Sequence, residues 1–237
     1  MSKIAFITGA NKGLGLEIAR QLGQQGVTVI IGARDEAKGQ AAAAQLKSEG
    51  LDAHALKFVV TDAADIAAGV EWFAEKFGRL DILVNNAGVM LDWEQPGSLE
   101  MYRKTFDTNV FAPQSITQAF LPLLHKSEAG RVVNHSSIIG SIATVGASEA
   151  IPIEWLTPAY ASSKAALNML TAIQARQLKD TKIKVNSAHP GWVKTDLGTE
   201  AAPMDVTDGA KTAVALALLP DDGPTGGFFH LGESLPW

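Results

Sequence analysis

The chain has 237 residues, 46% of them hydrophobic and 19% charged, which fits one well-filled α/β domain and excludes a disordered chain. Cysteine is absent, so disulfides, thiolate catalysis and sulfur-built zinc sites are excluded. The net charge of −5, with lysines and arginines scattered singly, speaks against a nucleic-acid polymer as ligand and leaves a nucleotide cofactor open.

Ile4-Ala5-Phe6-Ile7-Thr8 reads as a buried strand, followed by a glycine-rich turn and a helix from about Leu14 to Gln24. A second strand spans Val27 to Gly32 and a second helix Glu36 to Ser48. The alternation continues with a strand over Leu56–Val60, a helix over Ala63–Phe77 and a strand over Leu80–Asn85. Leu99–Val110 and Ala112–Leu124 read as helices, Arg131–His135 as a strand and Ala159–Leu178 as a long helix. Ile183–Ala188 is a strand, Asp205–Leu219 the last helix and Gly227–Leu231 a last short strand. Near-continuous apolar strands separated by helices predict βαβ units and a parallel sheet of about seven strands, covered on both faces in a doubly wound α/β fold. No Pro/Gly/Ser-rich linker divides the chain, which predicts a single domain over residues 1–237. The Met1-Ser2-Lys3 start lacks a signal-peptide pattern, and the longest clean apolar run, Ala213–Leu219, is too short for a bilayer. The expectation is a cytoplasmic protein without a membrane partner.

Thr8-Gly9-Ala10-Asn11-Lys12-Gly13-Leu14-Gly15 lies between the first strand and the first helix. Glycines there let the backbone approach a pyrophosphate set against the helix N-terminus, although a glycine turn alone is a weak signal. The end of the second strand selects the dinucleotide: an acidic residue would bind a ribose hydroxyl, a basic one a 2′-phosphate. Here Gly32-Ala33-Arg34-Asp35 places Arg34 at that end, and Lys12 offers a second positive charge. Both favour NADPH. Asp35 is the counter-argument, since one residue of slip would bring a carboxylate to the ribose. The five histidines, His54, His125, His135, His189 and His230, show no metal-ligand spacing, so no metal is expected; His135 reads as core packing.

The glycine pattern is followed in order by Asn85-Asn86-Ala87-Gly88, Asn109, Ser137, Tyr160-x-x-x-Lys164 and Pro190-Gly191. Together these resemble the short-chain dehydrogenase/reductase family, over almost the whole chain. Gly32-Ala33-Arg34-Asp35, Gly39-Gln40-Ala41-Ala42 and Pro190-Gly191-Trp192-Val193-Lys194-Thr195-Asp196 resemble its NADPH-dependent carbonyl reductases. The resemblance implies a Rossmann fold in which Gly9, Asn11, Lys12, Gly13, Leu14, Gly15 and Arg34 hold the phosphates and ribose of NADPH. It implies further that Val60, Asp62, Asn86, Ala87 and Gly88 line the adenine-ribose side, and that Pro190, Gly191, Val193 and Thr195 hold the nicotinamide carboxamide. The family's adenine-binding Asp is Val59 here; Asp62 either takes over that bond or caps the helix beginning at Ala63.

Carbonyl reduction needs a hydride, a proton and a group to steady the developing alkoxide. The resemblance makes Tyr160 the acid and gives Ser137 the substrate oxygen. Lys164 binds the nicotinamide ribose, and Asn109 holds a water in a relay to Lys164. At four residues' spacing the Lys164 ammonium shares a helix face with the phenol, and together with the positive charge of the oxidised nicotinamide it is expected to lower its pKa. Each residue also has an ordinary structural use, and it is their joint occurrence that points to catalysis.

Ser137 and Tyr160 are separated by more residues than in the shortest family members. The extra segment, Ile138 to Pro158, contains Glu149, Pro152, Glu154, Trp155 and Leu156 and is expected to overhang the site. Val89–Ser98, with Met90 and Trp93, and Trp192–Met204 should complete the pocket. Met90, Trp93, Ile138, Trp155 and Trp192 are the candidate pocket residues, and they suit a small hydrophobic carbonyl substrate. Rival readings are an NAD-linked alcohol or steroid dehydrogenase and a non-catalytic NADPH-sensing regulator. Relatives often pair through helices equivalent to Leu99–Leu124 and Pro158–Leu178. Carbonyl reductases with a much longer insertion before the tyrosine are monomers; the intermediate insertion here leaves both open, with a slight preference for a homo-oligomer.

Overall fold

The computed structural model describes residues 2–93, 97–147 and 151–237, and all of these except the Glu154 side chain. The strands are β1 (Ile4–Thr8), β2 (Thr28–Ala33), β3 (Ala53–Lys57), β4 (Ile82–Asn85), β5 (Arg131–His135), β6 (Lys184–Ala188), β7 (Phe228–His230) and β8 (Glu233–Ser234). The helices are α1 (Gly13–Gln24), α2 (Glu36–Ser48), α3 (Ala63–Lys76), α4 (Leu99–Phe106), α5 (Ala112–Leu124), α6 (Ile142–Ala147), α7 (Pro158–Gln177) and α8 (Val206–Ala217). One sheet orders the strands β3-β2-β1-β4-β5-β6-β7-β8. All neighbours are parallel except β7 and β8. This is the doubly wound arrangement expected from the sequence, with an eighth, antiparallel strand added at the edge.

The strands are apolar because both faces are covered. On one face Ile18 and Leu22 of α1, Leu46 of α2 and Leu216 of α8 pack on Val29, Ile31, Val84 and Val133. On the other, Phe73 of α3, Ile116 and Phe120 of α5 and Ala175 of α7 pack on Phe6, Ile30, Leu83 and Val132. Phe6 anchors this second face, with ring centroids 4.9 Å from Phe58, 5.1 Å from Phe73 and 5.4 Å from Phe120. Strand order reverses between β1 and β4, which opens a crevice at the carboxyl ends of the sheet.

Two expectations need correction. The third strand is Ala53–Lys57, not Leu56–Val60. The Phe58 N–H still bonds Ala33 O, but the Val59 N–H is taken by the Asp65 carboxylate and Val59 O by the Asp62 N–H. The apolar residues Phe58 to Val60 therefore turn into α3, while the half-buried edge strand β3 pairs with β2. The regular helix expected to Val110 ends at Phe106 and passes through a π-helical segment, Asp107–Phe111, into α5. Within the segment between Ser137 and Tyr160, single 3₁₀ turns at Ile138–Gly140 and Ile153–Trp155 flank α6. Glu149 lies outside the described residues. No helix among the described residues is long and apolar enough to cross a membrane.

Candidate active site

The crevice starts at the glycine turn. Gly9 adopts φ +63°, and a Cβ there would meet Ala87 at 3.0 Å. A Cβ on Gly15 would lie 2.5 Å from Asn86 Nδ2 and 2.7 Å from Gly9 O. Thr8 and Asn86 fasten the two strand ends together. Thr8 Oγ1 accepts from the Asn86 and Ala87 N–H groups, and Asn86 Nδ2 donates to Thr8 O and Gly9 O. The N-terminus of α1 carries no side-chain cap and no acidic residue in its first turn. Helices α2, α3 and α4 are capped by Asp35, Asp62 and Ser98. Bare N–H groups at α1, reached over glycines, are donors suited to a phosphate.

Arg34 follows β2 and is exposed, and no ion pair engages it among the described residues. Asp35, its rival for the ribose, spends its carboxylate on the Lys38 N–H at 3.1 Å as the α2 cap. Lys12 is ion-paired with Asp196, so its charge is shared across the crevice mouth. Asp62 accepts from the Ala64 and Asp65 N–H groups at 2.8 and 3.1 Å, which makes it the α3 cap. Val60 is half-buried beside it, Gly88 exposed, and Asn11 half-buried in the turn.

A cavity of about 320 Å³ opens beyond β4, β5 and β6. Its wall includes Ser137 and Tyr160, the four residues Leu14, Pro190, Val193 and Thr195, and Gly191. Met90, Trp93, Ile138, Trp155 and Trp192 line it as well. Trp155 and Trp192 touch across it with ring centroids 4.7 Å apart, so the extra segment meets the loop after β6. Ile139, Ile151, Leu197 and His189 also line the cavity and carry no sequence motif that marks them. His189 is half-buried and neutral: burial lowers its pKa to about 3, helped by neighbouring His230.

Tyr160 and Lys164 sit on the buried face of α7. Lys164 Nζ lies 5.4 Å from the Tyr160 ring centroid and donates to His135 O at 2.7 Å. The depression of the phenol is expected with the oxidised nicotinamide's charge beside it; in the protein alone the phenol is raised instead. Burial pushes Tyr160 up to about 12, only partly offset by a hydrogen bond with Ser137. Burial also lowers Lys164 to about 8. Desolvation penalises the charged form of each. Beside them, His135 is held neutral by burial, its pKa lowered to about 3, and Nδ1 pairs with Asn86 Oδ1. It is a core residue, as expected.

Asn109 lies in the π segment, fully buried. Its amide donates to Val89 O at 2.8 Å and Ser163 Oγ at 3.0 Å, and its Oδ1 accepts from the Val89 N–H at 2.9 Å. Both amide protons are thus committed to protein atoms, and a water relay through this residue would have to use other atoms of the segment. Asp92, which sequence reasoning missed, bonds the N–H groups of Ala159 and Tyr160. No local pattern marks it, because its partners are 67 and 68 residues away.

The short chain dehydrogenase family matches residues 3–206. Short-chain dehydrogenase/reductase 1 of Saponaria officinalis is 34% identical, covering 99% of this chain and 96% of its own. Carbonyl reductase (NADPH) 3 of Mus musculus is also 34% identical, over 93% of this chain and 92% of its own. Among solved structures, NADPH-bound carbonyl reductase from chicken fatty liver superimposes with a TM-score of 0.85 at 27% identity, covering 100% of this chain and 99% of that one. The crevice at the strand reversal, the bare helix over a glycine turn and these matches together mean that the chain belongs to the short-chain dehydrogenase/reductase family.

Proposed function

We propose that the chain works as one domain that reduces a small hydrophobic ketone or aldehyde to an alcohol with NADPH, Tyr160 giving the proton. The observation that carries this reading is the cavity wall where Ser137 and Tyr160 meet, with the Lys164 ammonium buried behind. The cofactor's pyrophosphate fits the uncapped start of α1 and the cradle that a Cβ on Gly15 would fill. Arg34 would take the 2′-phosphate, and the commitment of Asp35 to its cap speaks against the NAD-linked alternative. Pro190, Gly191, Val193 and Thr195 would hold the nicotinamide end. When bound, NADPH supplies the hydride, whose electron pair forms the new C–H bond at the carbonyl carbon.

The protein's own groups manage the oxygen. Ser137 donates a hydrogen bond to it, and Tyr160 O–H transfers its proton as the C=O π pair moves onto oxygen. Lys164 then serves two ends: it holds the nicotinamide ribose hydroxyls and steadies the phenolate left on Tyr160. The tryptophans and Met90 exclude water around an apolar substrate. Relatives named as carbonyl reductases of NADPH support the same reading. Self-association belongs to the proposal too, because Phe111, Met169 and Ile173 expose apolar surface on the helices expected to pair.

Tyr160→Phe should abolish turnover while NADPH still binds. Near-normal turnover in that variant would sink the assignment. Arg34→Ala should raise KM for NADPH about tenfold or more and leave NADH little changed, since a charge-assisted phosphate contact is lost. Equal effects on the two cofactors would remove Arg34 from the 2′-phosphate.

A further inference from the structure

The loop after β4 does two things at once. Met90 and Trp93 form part of the cavity wall, and the residues around them are fastened to the start of α7. Asn109 holds both polar backbone groups of Val89 and reaches Ser163 of α7. The Thr157 hydroxyl lies 3.9 Å from Met90 Sδ. The strongest fastening is Asp92, which is only 5% exposed. Its Oδ1 accepts from the Ala159 N–H at 2.8 Å and its Oδ2 from the Tyr160 N–H at 3.1 Å.

These N–H groups belong to the first turn of α7, where donors lack helical partners and the helix end is positive. Thr157, at the cap position, makes no side-chain cap. A carboxylate from the pocket loop therefore replaces the local cap, and one of its two bonds goes to the backbone of Tyr160 itself. Both oxygens are used, so a shift of the helix start against the loop breaks both bonds together. We infer that Asp92 is a positioning residue that fixes the start of α7, and with it the Tyr160 phenol, against the cavity wall carried by its own loop. This rests on Tyr160 being the proton donor. An acid displaced by about 1 Å loses on the order of 100-fold in rate, whereas a cap that only stabilises the helix leaves the chemical step alone.

The test uses the full chain with saturating NADPH and acetophenone as the carbonyl probe. Asp92→Asn keeps the shape and one carbonyl acceptor; Asp92→Ala removes both acceptors. The expected result is a kcat lowered about tenfold in the first and about 100-fold in the second. NADPH affinity should be unchanged, and the solvent deuterium isotope effect on kcat should rise as proton transfer becomes slow. A folded Asp92→Ala with wild-type kcat would overturn the inference. So would a loss of kcat that parallels lost NADPH binding with an unchanged isotope effect, because that describes general loosening. If Asp92→Ala does not fold, Asp92→Asn decides by the same readouts. Tyr160→Phe, measured alongside, separates the two levels: activity in it overturns the proton-donor reading, while its inactivity beside normal Asp92 variants overturns only the role of Asp92.

Discussion

Lys164 carries its charge where charge is costly. Burial lowers it to about 8 from an ordinary 10.5, and the residue is only 4% exposed. Between about 8 and 10.5 the unfolded chain holds the proton and the folded one does not, so folding becomes more favourable as pH rises through that window. Below about 8 both states are protonated and the penalty is present in full. Unfolding of the wild type and of Lys164→Met, followed between pH 6 and 11 (a range of roughly the group's titration), isolates the group: the wild type should gain on the variant as pH passes about 8. A constant difference would show an ammonium that titrates as if exposed. In activity, kcat/KM for NADPH reports the free enzyme and should fall as pH rises through about 8. The pairing of Tyr160 with Lys164 was legible from their spacing. Their electrostatic state was not, because it is set by packing from outside the helix. A Cβ on Gly140, for instance, would stand 2.7 Å from Lys164 Cβ, a closeness that no residue pattern encodes.

At the scale of elements, periodicity located the helices and strands well where both faces of the sheet are covered. It failed where side chains replace backbone partners. The Asp65 carboxylate ends β3 early, and the π segment breaks the helix read through Val110. That π segment turns Asn109 towards Val89, whose N–H and C=O it satisfies as a strand neighbour would. Asn109→Ala would leave both Val89 groups short of a partner in a half-buried place, while Ser163 Oγ keeps its bond to Tyr160 O. Unsatisfied buried groups cost about 1–3 kcal/mol each, so a loss of about 2–4 kcal/mol in denaturant unfolding is expected, with turnover reduced as well. Asn109→Asp keeps an acceptor for the Val89 N–H but turns a second acceptor on Val89 O and buries an unpaired charge, and should lose at least as much. A full-stability alanine variant would mean that water satisfies Val89 instead.

Across the whole molecule, the sheet edge and the extra segment over the cavity are one assembly. β7 and β8 form a short antiparallel pair, after which the Leu235 N–H bonds Phe228 O at 2.7 Å. Trp237 then stacks on Phe228, ring centroids 5.8 Å apart and planes 10° from parallel. Its carbonyl accepts from the Ala143 N–H at 2.9 Å, at the start of α6. Phe228 in turn lies 6.5 Å from the ring of His189 on the cavity wall. The last residues therefore brace α6 and, through Phe228, the His189 side of the wall, away from Arg34 and the glycine turn. Aromatic stacks of this kind contribute about 0.5–1.5 kcal/mol beyond area burial, enough to hold a short helix in place though not to decide the fold. Removal of residues 235–237 should accordingly raise KM for the carbonyl compound several-fold while NADPH affinity stays constant. If both affinities fell together, the brace would be supporting the sheet as a whole; if neither changed, α6 would be held by Ser141 and Thr144, whose hydroxyls already bond across its first turn.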